Sequence, residues 1–450
     1  MATIDLTGDA WEREVVDVHE REHLGVAEFT ADTLPASLPA GTSVAVSVRN
    51  SGVSDALVSD GERYSSPSTG SKSVGRFIKN ATAANTIKLR TAFRKSIGGF
   101  AGNDSYFCFP GDSTTVGIGA NGVADGTANC REYSFVTKLS QILAAKFAAK
   151  TANGNLFTGH NIAYDKYATY NPRAALTNVT INNSYTGGAN SVFTNSGGTG
   201  ATIVYTPGVG FTSITVYYIQ GPGLGSFTTQ IDGGSSLGTV STANATKAIK
   251  SVTYTGLSGT ASSNVTLTFV GAANSVFIEG FTVGTGNSAI NMINFGASGL
   301  KVSNFNDATD EWRSSYIPAA LAPSVAFIQL GINDCKDSTV DAATYAANLT
   351  TMITTWKSAG VEVYVVGKLP SNPAYNAYTA VTRQNDLVDA AYSAAVANSV
   401  PFVDLYGYMD SYAYQSGMGM MTDGLHGNAG LYADEALFLA NCIEHIASKI

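Results

Sequence analysis

The sequence predicts an α/β protein built on a parallel sheet and interrupted by an inserted all-β sandwich or jelly roll. Three observations carry this expectation. From about residue 104, short apolar runs bounded by turn residues alternate with helical stretches. Residues 166–288 are instead nearly free of charge, alternate β-branched with small polar residues, and are punctuated by Gly, Ser and Asn. From about 289 to the end the α/β alternation resumes. The division is therefore an N-terminal segment (1–103), an α/β domain in two parts (104–165 and 289–450), and an insertion between them (166–288). A chain of 450 residues exceeds what one hydrophobic core usually organises, which agrees with several folding units.

Taken in order, the first hundred residues contain an acidic helix near Trp11–Leu24, a Pro-punctuated stretch, one strand at Ser43–Val48 and a Ser/Gly segment at Ser65–Gly75. Composition assigns them no role. The run Ser105–Pro110 reads as a strand that ends in Gly111-Asp112-Ser113 and is followed by a helical stretch over Arg131–Lys150. Within the insertion, SITVYYIQ, SFTTQID, SVTYTGL, NVTLTFVG and SVFIEGFTV read as antiparallel strands. Further strands are expected at Ile290–Phe295, Val325–Leu330, Val361–Gly367 and Val400–Leu405, separated by helices. In one of these, Tyr345, Leu349, Met352, Ile353 and Trp356 recur at three- and four-residue steps, giving a single apolar face to pack on a sheet.

Composition narrows the partners. Hydrophobic residues make up 44% and charged residues only 13%, which excludes a disordered chain and leaves a surface of Ser, Thr, Asn and Gly suited to sugars. A net charge of −8 and a pI near 5.1, with no Lys/Arg cluster, exclude nucleic acid as a partner. The N-terminus lacks a basic region followed by an apolar stretch, so it does not read as a secretory signal. No apolar run approaches the roughly 18 residues of a membrane span. The scattered Cys108, Cys130, Cys335 and Cys442 have no metal or redox spacing and read as free, mostly buried thiols. No feature speaks to oligomeric state.

The chemistry gathers where the parallel strands end. Gly111-Asp112-Ser113 follows the first, Asn294-Phe295-Gly296-Ala297-Ser298-Gly299 the second and Gly331-Ile332-Asn333-Asp334 the third. All three therefore meet at the carboxyl edge of one sheet, where open α/β folds bind ligands. Asp423-Gly424-Leu425-His426 lies on a loop before the last helix, and its three-residue spacing lets the carboxylate meet the imidazole. A serine hydroxyl needs a base to become a nucleophile near neutral pH. His426 is the expected base for Ser113, with Asp423 fixing its tautomer and stabilising the imidazolium. Main-chain N–H groups of Ser113 and Gly299 and the side-chain amide of Asn333 are the expected oxyanion donors, and glycine at 299 allows close backbone approach. Of His19, His23, His160, His426 and His445, only His426 has an acid at this distance within a loop. His19-Glu20-Arg21-Glu22-His23 fits a zinc-protease pattern, but it precedes any sheet, is heavily charged and lacks a third ligand. A solvated, salt-bridged helix accounts for it, and no metal site is expected. There is no GxSxG nucleophile elbow.

These segments resemble the SGNH, or GDSL-like, hydrolase family, whose blocks supply Ser, Gly, Asn and a paired Asp/His. FPGDST matches the first block, NFGASG the second with Gly299 as its glycine, LGIND the third and DGLH the last. The resemblance covers about 104–165 and 289–450, including AGVEVYVVGKLP. It implies a three-layer αβα sandwich around a flavodoxin-like parallel five-stranded sheet, and an acyl-serine mechanism without metal or organic cofactor. Spacing departs from the family, because the whole insertion separates Ser113 from Gly299. The uncharged, Tyr-bearing insertion resembles accessory β-domains of carbohydrate esterases, which implies an O-acetylated carbohydrate substrate. Tyr217 and Tyr218, with Tyr205, are the candidates for stacking on sugar rings. Alternatives are a general short-chain esterase or lipase, and a non-catalytic glycan-binding component like those of phage tails. The Gly/Ser/Thr-rich N-terminus resembles virion attachment segments, so an extracellular or virion-associated location is expected.

Overall fold

The computed structural model describes residues 26–30, 43–47, 54–59, 64–65, 74–100, 102–122, 129–158, 167, 169–182, 192–310 and 313–449. The helix expected at Trp11–Leu24, with its His19/His23 pattern, and His160 lie outside the described residues. Residues 1–76 and 77–450 form two separate compact units. The first contains a four-stranded sheet in chain order, with Val26–Thr30 parallel to Ser43–Ser47, and Ser54–Ser59 and Tyr64–Ser65 added antiparallel. Only the strand at Ser43 is foreseen by the sequence. VAEFT and SDALVS are short and carry acids, so no clean alternation marks them.

The second unit is organised by a seven-stranded sheet. From edge to edge it runs Ile78–Lys79, Phe402–Val403, Glu362–Val366, Val325–Ile328, Ser105–Gly111, Ile290–Gly296 and Thr151–Ala152. The five principal strands are parallel, and in chain order they lie 2-1-3-4-5, the flavodoxin-like arrangement. The sheet thus has seven strands where five are expected. Thr151–Ala152 joins the second strand in parallel and Ile78–Lys79 joins the fifth antiparallel, each two residues long and too short to leave a pattern. Helices Ile87–Gly98, Phe135–Phe147 and Ala429–Lys449 pack on one another as one layer, and Ala342–Ser358 with Val381–Ala397 as the other. In Ala342–Ser358 the buried residues are Tyr345, Leu349, Met352, Ile353 and Trp356, the face that periodicity predicts. The helical stretch expected from Arg131 is broken at Ser134, whose extended ψ separates Cys130–Tyr133 from Phe135–Phe147 while its hydroxyl donates back to the Arg131 carbonyl at 2.8 Å.

Between the first and second principal strands the chain builds two antiparallel sheets. One has the order Val179–Asn182, Val192–Asn195, Phe277–Gly284, Phe211–Gln220, Ala248–Gly259, with Leu156–Phe157 pairing beside Phe277–Gly284. The other has the order Thr239–Ser241, Ser226–Ile231, Val265–Val270, Thr202–Tyr205, Ala174–Thr177. They face each other through pairs such as Tyr218 on Phe227 and Tyr205 on Phe281, ring centroids 5.4 and 5.3 Å apart.

The outer face of the first sheet is covered in part, Ser251, Thr253 and Thr255 remaining exposed. Tyr217, Ile219, Ile249 and Phe277 lie in one apolar core with Ile293, Phe295 and Leu321 of the α/β part. This corrects the expectation for the tyrosines. Phe211–Gln220 is a central strand whose two faces are both covered at Tyr217 and Tyr218, so these are buried, and Tyr205 is fully buried with its hydroxyl on the Asn155 carbonyl at 3.0 Å. None of the three presents a ring to a ligand.

Polar bonds fasten the same seam. The buried Asn155 amide donates to Asn291 Oδ1 and to the Met292 carbonyl, both at 2.8 Å, while its oxygen accepts from Val283 N at 3.0 Å. Arg131 donates to the Asn155 carbonyl at 2.7 Å. All four cysteines are free and buried.

Candidate active site

Ser113 begins the short helix Ser113–Val116 directly after the first strand, and it is buried. Asp112 caps that helix, its Oδ1 accepting from the Thr114 N–H at 3.0 Å and hydroxyl at 2.9 Å, which fixes where the chain turns and where the serine points. The second strand passes under this turn so closely that a Cβ on Gly296 would collide with the Val116 nitrogen. Gly296 is therefore a packing glycine. Gly299, at φ +81°, occupies the left-handed region in the loop beyond and lines a cavity with Asn333.

The loop before the last helix brings the other two residues. Asp423 Oδ1 accepts from the backbone N–H of Leu425 (2.7 Å) and His426 (2.8 Å), and its Oδ2 is 2.8 Å from His426 Nδ1. His426 Nε2 lies 2.8 Å from Ser113 Oγ. Thr422 ties the loop down by donating to the Gly119 carbonyl at 2.8 Å, just after the serine helix. Burial raises the Asp423 carboxyl, but the hydrogen bond and charge of His426 and the two backbone donors outweigh it and hold the group down at about 2. Asp423 is thus ionised wherever His426 can act as a base. His445 sits on the last helix and takes no part.

The turn of Gly299 and the short helix Ile332–Lys336, which carries Asn333, are stitched together. Asn333 Nδ2 donates to the Leu300 carbonyl at 2.9 Å, and its Oδ1 accepts from Lys336 Nζ at 3.2 Å. Both ends of the amide are thereby set, and one Nδ2 hydrogen remains for a further acceptor. Asp334 accepts from Val302 N at 3.3 Å, joining the third-strand loop to the second. Burial, with a smaller contribution from the charge of Asp112, pushes Asp334 up to about 7 against that N–H. Gly299 and Asn333 line an open cavity of about 400 Å³ with Lys336, Tyr378 and the ion pair Lys301–Asp337 (2.6 Å). A larger groove of about 750 Å³ lies elsewhere, at Lys150, Phe211 and Asn287, away from the Ser113–His426 pair.

Sequence reasoning passes over Lys336, Tyr375 and Tyr378 near this cavity. The signal was available: Tyr375 and Tyr378 lie in a Pro/Asn-rich loop after the fourth strand, at the same carboxyl edge.

Residues 258–433 match the model of the GDSL-like lipase/acylhydrolase family. The chain carries a GDSL-like hydrolase domain. The matched stretch contains Gly299, Asn333, Asp423 and His426, while Ser113 lies before it because the insertion separates the serine turn from the rest. The GDSL-like fold is also that of a solved peptidoglycan O-acetylesterase, 14% identical, which aligns over 83% of this chain and 100% of its own with a TM-score of 0.62. A lipase/acylhydrolase from Enterococcus faecalis is 23% identical over 35% of this chain and 76% of its own, with a TM-score of 0.29. A family two carbohydrate esterase from Clostridium thermocellum is 17% identical over 55% and 93%, with a TM-score of 0.27. Among curated proteins no sequence relative matches.

Proposed function

We propose that this protein is a serine esterase that removes O-acetyl groups from a polysaccharide. The observation that carries it is the hydrogen-bonded chain from Asp423 through His426 to Ser113 Oγ, with both bonds at 2.8 Å. In this reading His426 Nε2 takes the hydroxyl proton as Ser113 attacks the acetyl carbonyl, and Asp423 stabilises the imidazolium. The oxyanion is met by the N–H groups of Ser113 and Gly299 and by the free Nδ2 hydrogen of Asn333. His426 then gives its proton to the departing sugar hydroxyl, and water attacks the acetyl-serine with His426 again as base. As acetate leaves, His426 returns that proton to Ser113 Oγ.

A carbohydrate substrate is supported by the low-charge surface and by the fold shared with an esterase of O-acetylated peptidoglycan. It is no longer supported by Tyr217 and Tyr218, which are buried. The test is a screen for acetate released from acetylated polysaccharides, run beside a chromogenic acetate and a serine-directed phosphonate. Hydrolysis of the chromogenic ester alone would favour a general short-chain esterase, and neither hydrolysis nor labelling at Ser113 would leave a binding protein.

A further inference from the structure

We infer that the open cavity beside Gly299 and Asn333 is an anion-accepting sugar subsite: Lys336 takes a carboxylate of the substrate while Tyr375 and Tyr378 border the ring that carries it. The inference rests on the esterase reading above and names its substrate class, an O-acetylated acidic glycan.

The argument begins with charge. Two ammonium groups line the cavity, and they are not equivalent. Lys301 is neutralised by Asp337 at 2.6 Å, and that carboxylate is further occupied by the Thr339 N–H and hydroxyl at 2.8 and 2.7 Å. Lys336 has no carboxylate partner among the described residues. Its contacts are Asn333 Oδ1 at 3.2 Å and the face of Tyr375, whose centroid is 5.5 Å away. A half-buried ammonium with three N–H donors, one of them on an amide oxygen, has capacity for a charged acceptor. The other acids nearby are committed: Asp112 is buried beneath, bonded to Thr114, and Asp423 holds His426.

Placement supplies the second part. Because Lys336 bonds Asn333, its ammonium stands one side chain away from the amide assigned to the acetyl oxygen. Tyr375 packs on the base loop, since a Cβ on Gly424 would be 2.8 Å from its Cδ2. Tyr375 and Tyr378 are 48% and 43% exposed, unlike the three tyrosines of the insertion. A sugar ring whose acetyl group reaches Ser113 therefore meets exposed aromatic surface and one ammonium with no carboxylate in contact among the described residues, a pairing that suits a carboxylate-bearing ring better than a neutral one.

The test uses a matched pair: an O-acetylated uronic-acid glycoside and its carboxyl methyl ester, with a chromogenic acetate as the control for the hydrolytic centre. Since Lys336 also orients Asn333, the readout is the ratio of kcat/KM for the free acid to that for the methyl ester, in which losses common to both cancel. The wild type is expected to prefer the free acid about tenfold, in line with a charge-assisted hydrogen bond. Lys336→Arg should keep most of the preference, and Lys336→Gln, which can still donate to Asn333, should bring the ratio close to one. A wild-type ratio of one or less, a ratio unchanged in Lys336→Gln, or hydrolysis of the chromogenic acetate with neither glycoside cleaved would overturn the subsite. Failure of the esterase reading looks different: no Ser113-dependent hydrolysis of the chromogenic acetate at all.

Discussion

The parallel sheet and the inserted sandwich use their strands differently. Principal strands of the parallel sheet are covered by helices, and the candidate site residues follow their carboxyl ends: Ser113 and Asn333 in the short helices Ser113–Val116 and Ile332–Lys336, Gly299 in a turn. In the sandwich, Phe211–Gln220 has the facing sheet on one side and the α/β core on the other, so its tyrosines are packing groups on both faces. In the proposed site the functional groups stand where the backbone leaves a sheet. Tyr375 and Tyr378, on the loop after the fourth strand, obey the same rule as Ser113.

The largest effect that tests this division is at the serine. Ser113→Ala should lower kcat by roughly 10⁴–10⁶ while the melting temperature stays close to wild type, because only the hydroxyl is lost. The same division ties the acid side of the pH profile to one loop: kcat/KM should fall as His426 takes up a proton, while Asp423, held at about 2, stays ionised throughout. An acid limb that persists unchanged in the residual activity of His426→Ala would place the base elsewhere. Next in size is Asn333→Ala, expected to reduce kcat about 10²–10³-fold with little change in KM, since its free hydrogen serves an oxyanion present only along the reaction. A change in KM alone would make Asn333 a ground-state contact.

How much of this is legible in sequence follows from the same contrast. Residues after the strands announce themselves by type: Gly-Asp-Ser, Gly-Ile-Asn-Asp and Asp-Gly-Leu-His have few structural explanations in common, and in the structure Ser113, His426 and Asp423 are joined by hydrogen bonds while Asn333 shares a cavity with Gly299. A strand announces only which residues share a face. Alternation in SITVYYIQ separates Tyr217 from Tyr218, but it carries no information on whether each face is covered, and here both are. The two-residue strands Ile78–Lys79 and Thr151–Ala152 exist only as pairings with longer neighbours, so nothing local in the chain marks them. The seam residue Asn155 is equally silent, because its role depends on backbone groups more than a hundred positions away.

That seam yields the next prediction. If the insertion were a detachable module, its junction would tolerate change; a shared core and the Asn155 bonds say otherwise. Asn155→Ala strands Asn291 Oδ1, the Met292 carbonyl and the Val283 N–H in a buried place, and should cost about 2–4 kcal/mol in denaturant unfolding. The specific activity of the folded fraction should change far less than in Asn333→Ala. A variant as stable as the wild type would show the two regions to be energetically independent, and replacing the insertion with a short linker would then become a fair test of its role in substrate recognition.

The last effect separates the two regions by pH. Glu435, on the last helix, is fully buried; its Oε1 accepts from Gln329 Nε2 at 2.7 Å, while Oε2 and Gln329 Oε1 have no partner among the described residues. Burial pushes its carboxyl up to about 8 from an ordinary 4.5, the charges of Asp112 and Asp434 adding to this against the Gln329 hydrogen bond. The folded protein therefore keeps a proton that the unfolded chain releases. Stability from this group is complete below about 4.5 and declines as pH rises toward about 8, by at most about 1.4 kcal/mol per pH unit. Glu435→Gln keeps the shape, cannot ionise and offers an N–H to Gln329 Oε1, so its melting temperature should match the wild type near pH 4.5 and exceed it increasingly up to pH 8. Asn155→Ala, which removes no titrating group, should lower the melting curve by a similar amount at every pH. If Glu435→Gln instead shifts stability uniformly, the glutamate is already ionised in the fold, and its charge is balanced by a neighbour in the α/β core rather than suppressed by burial.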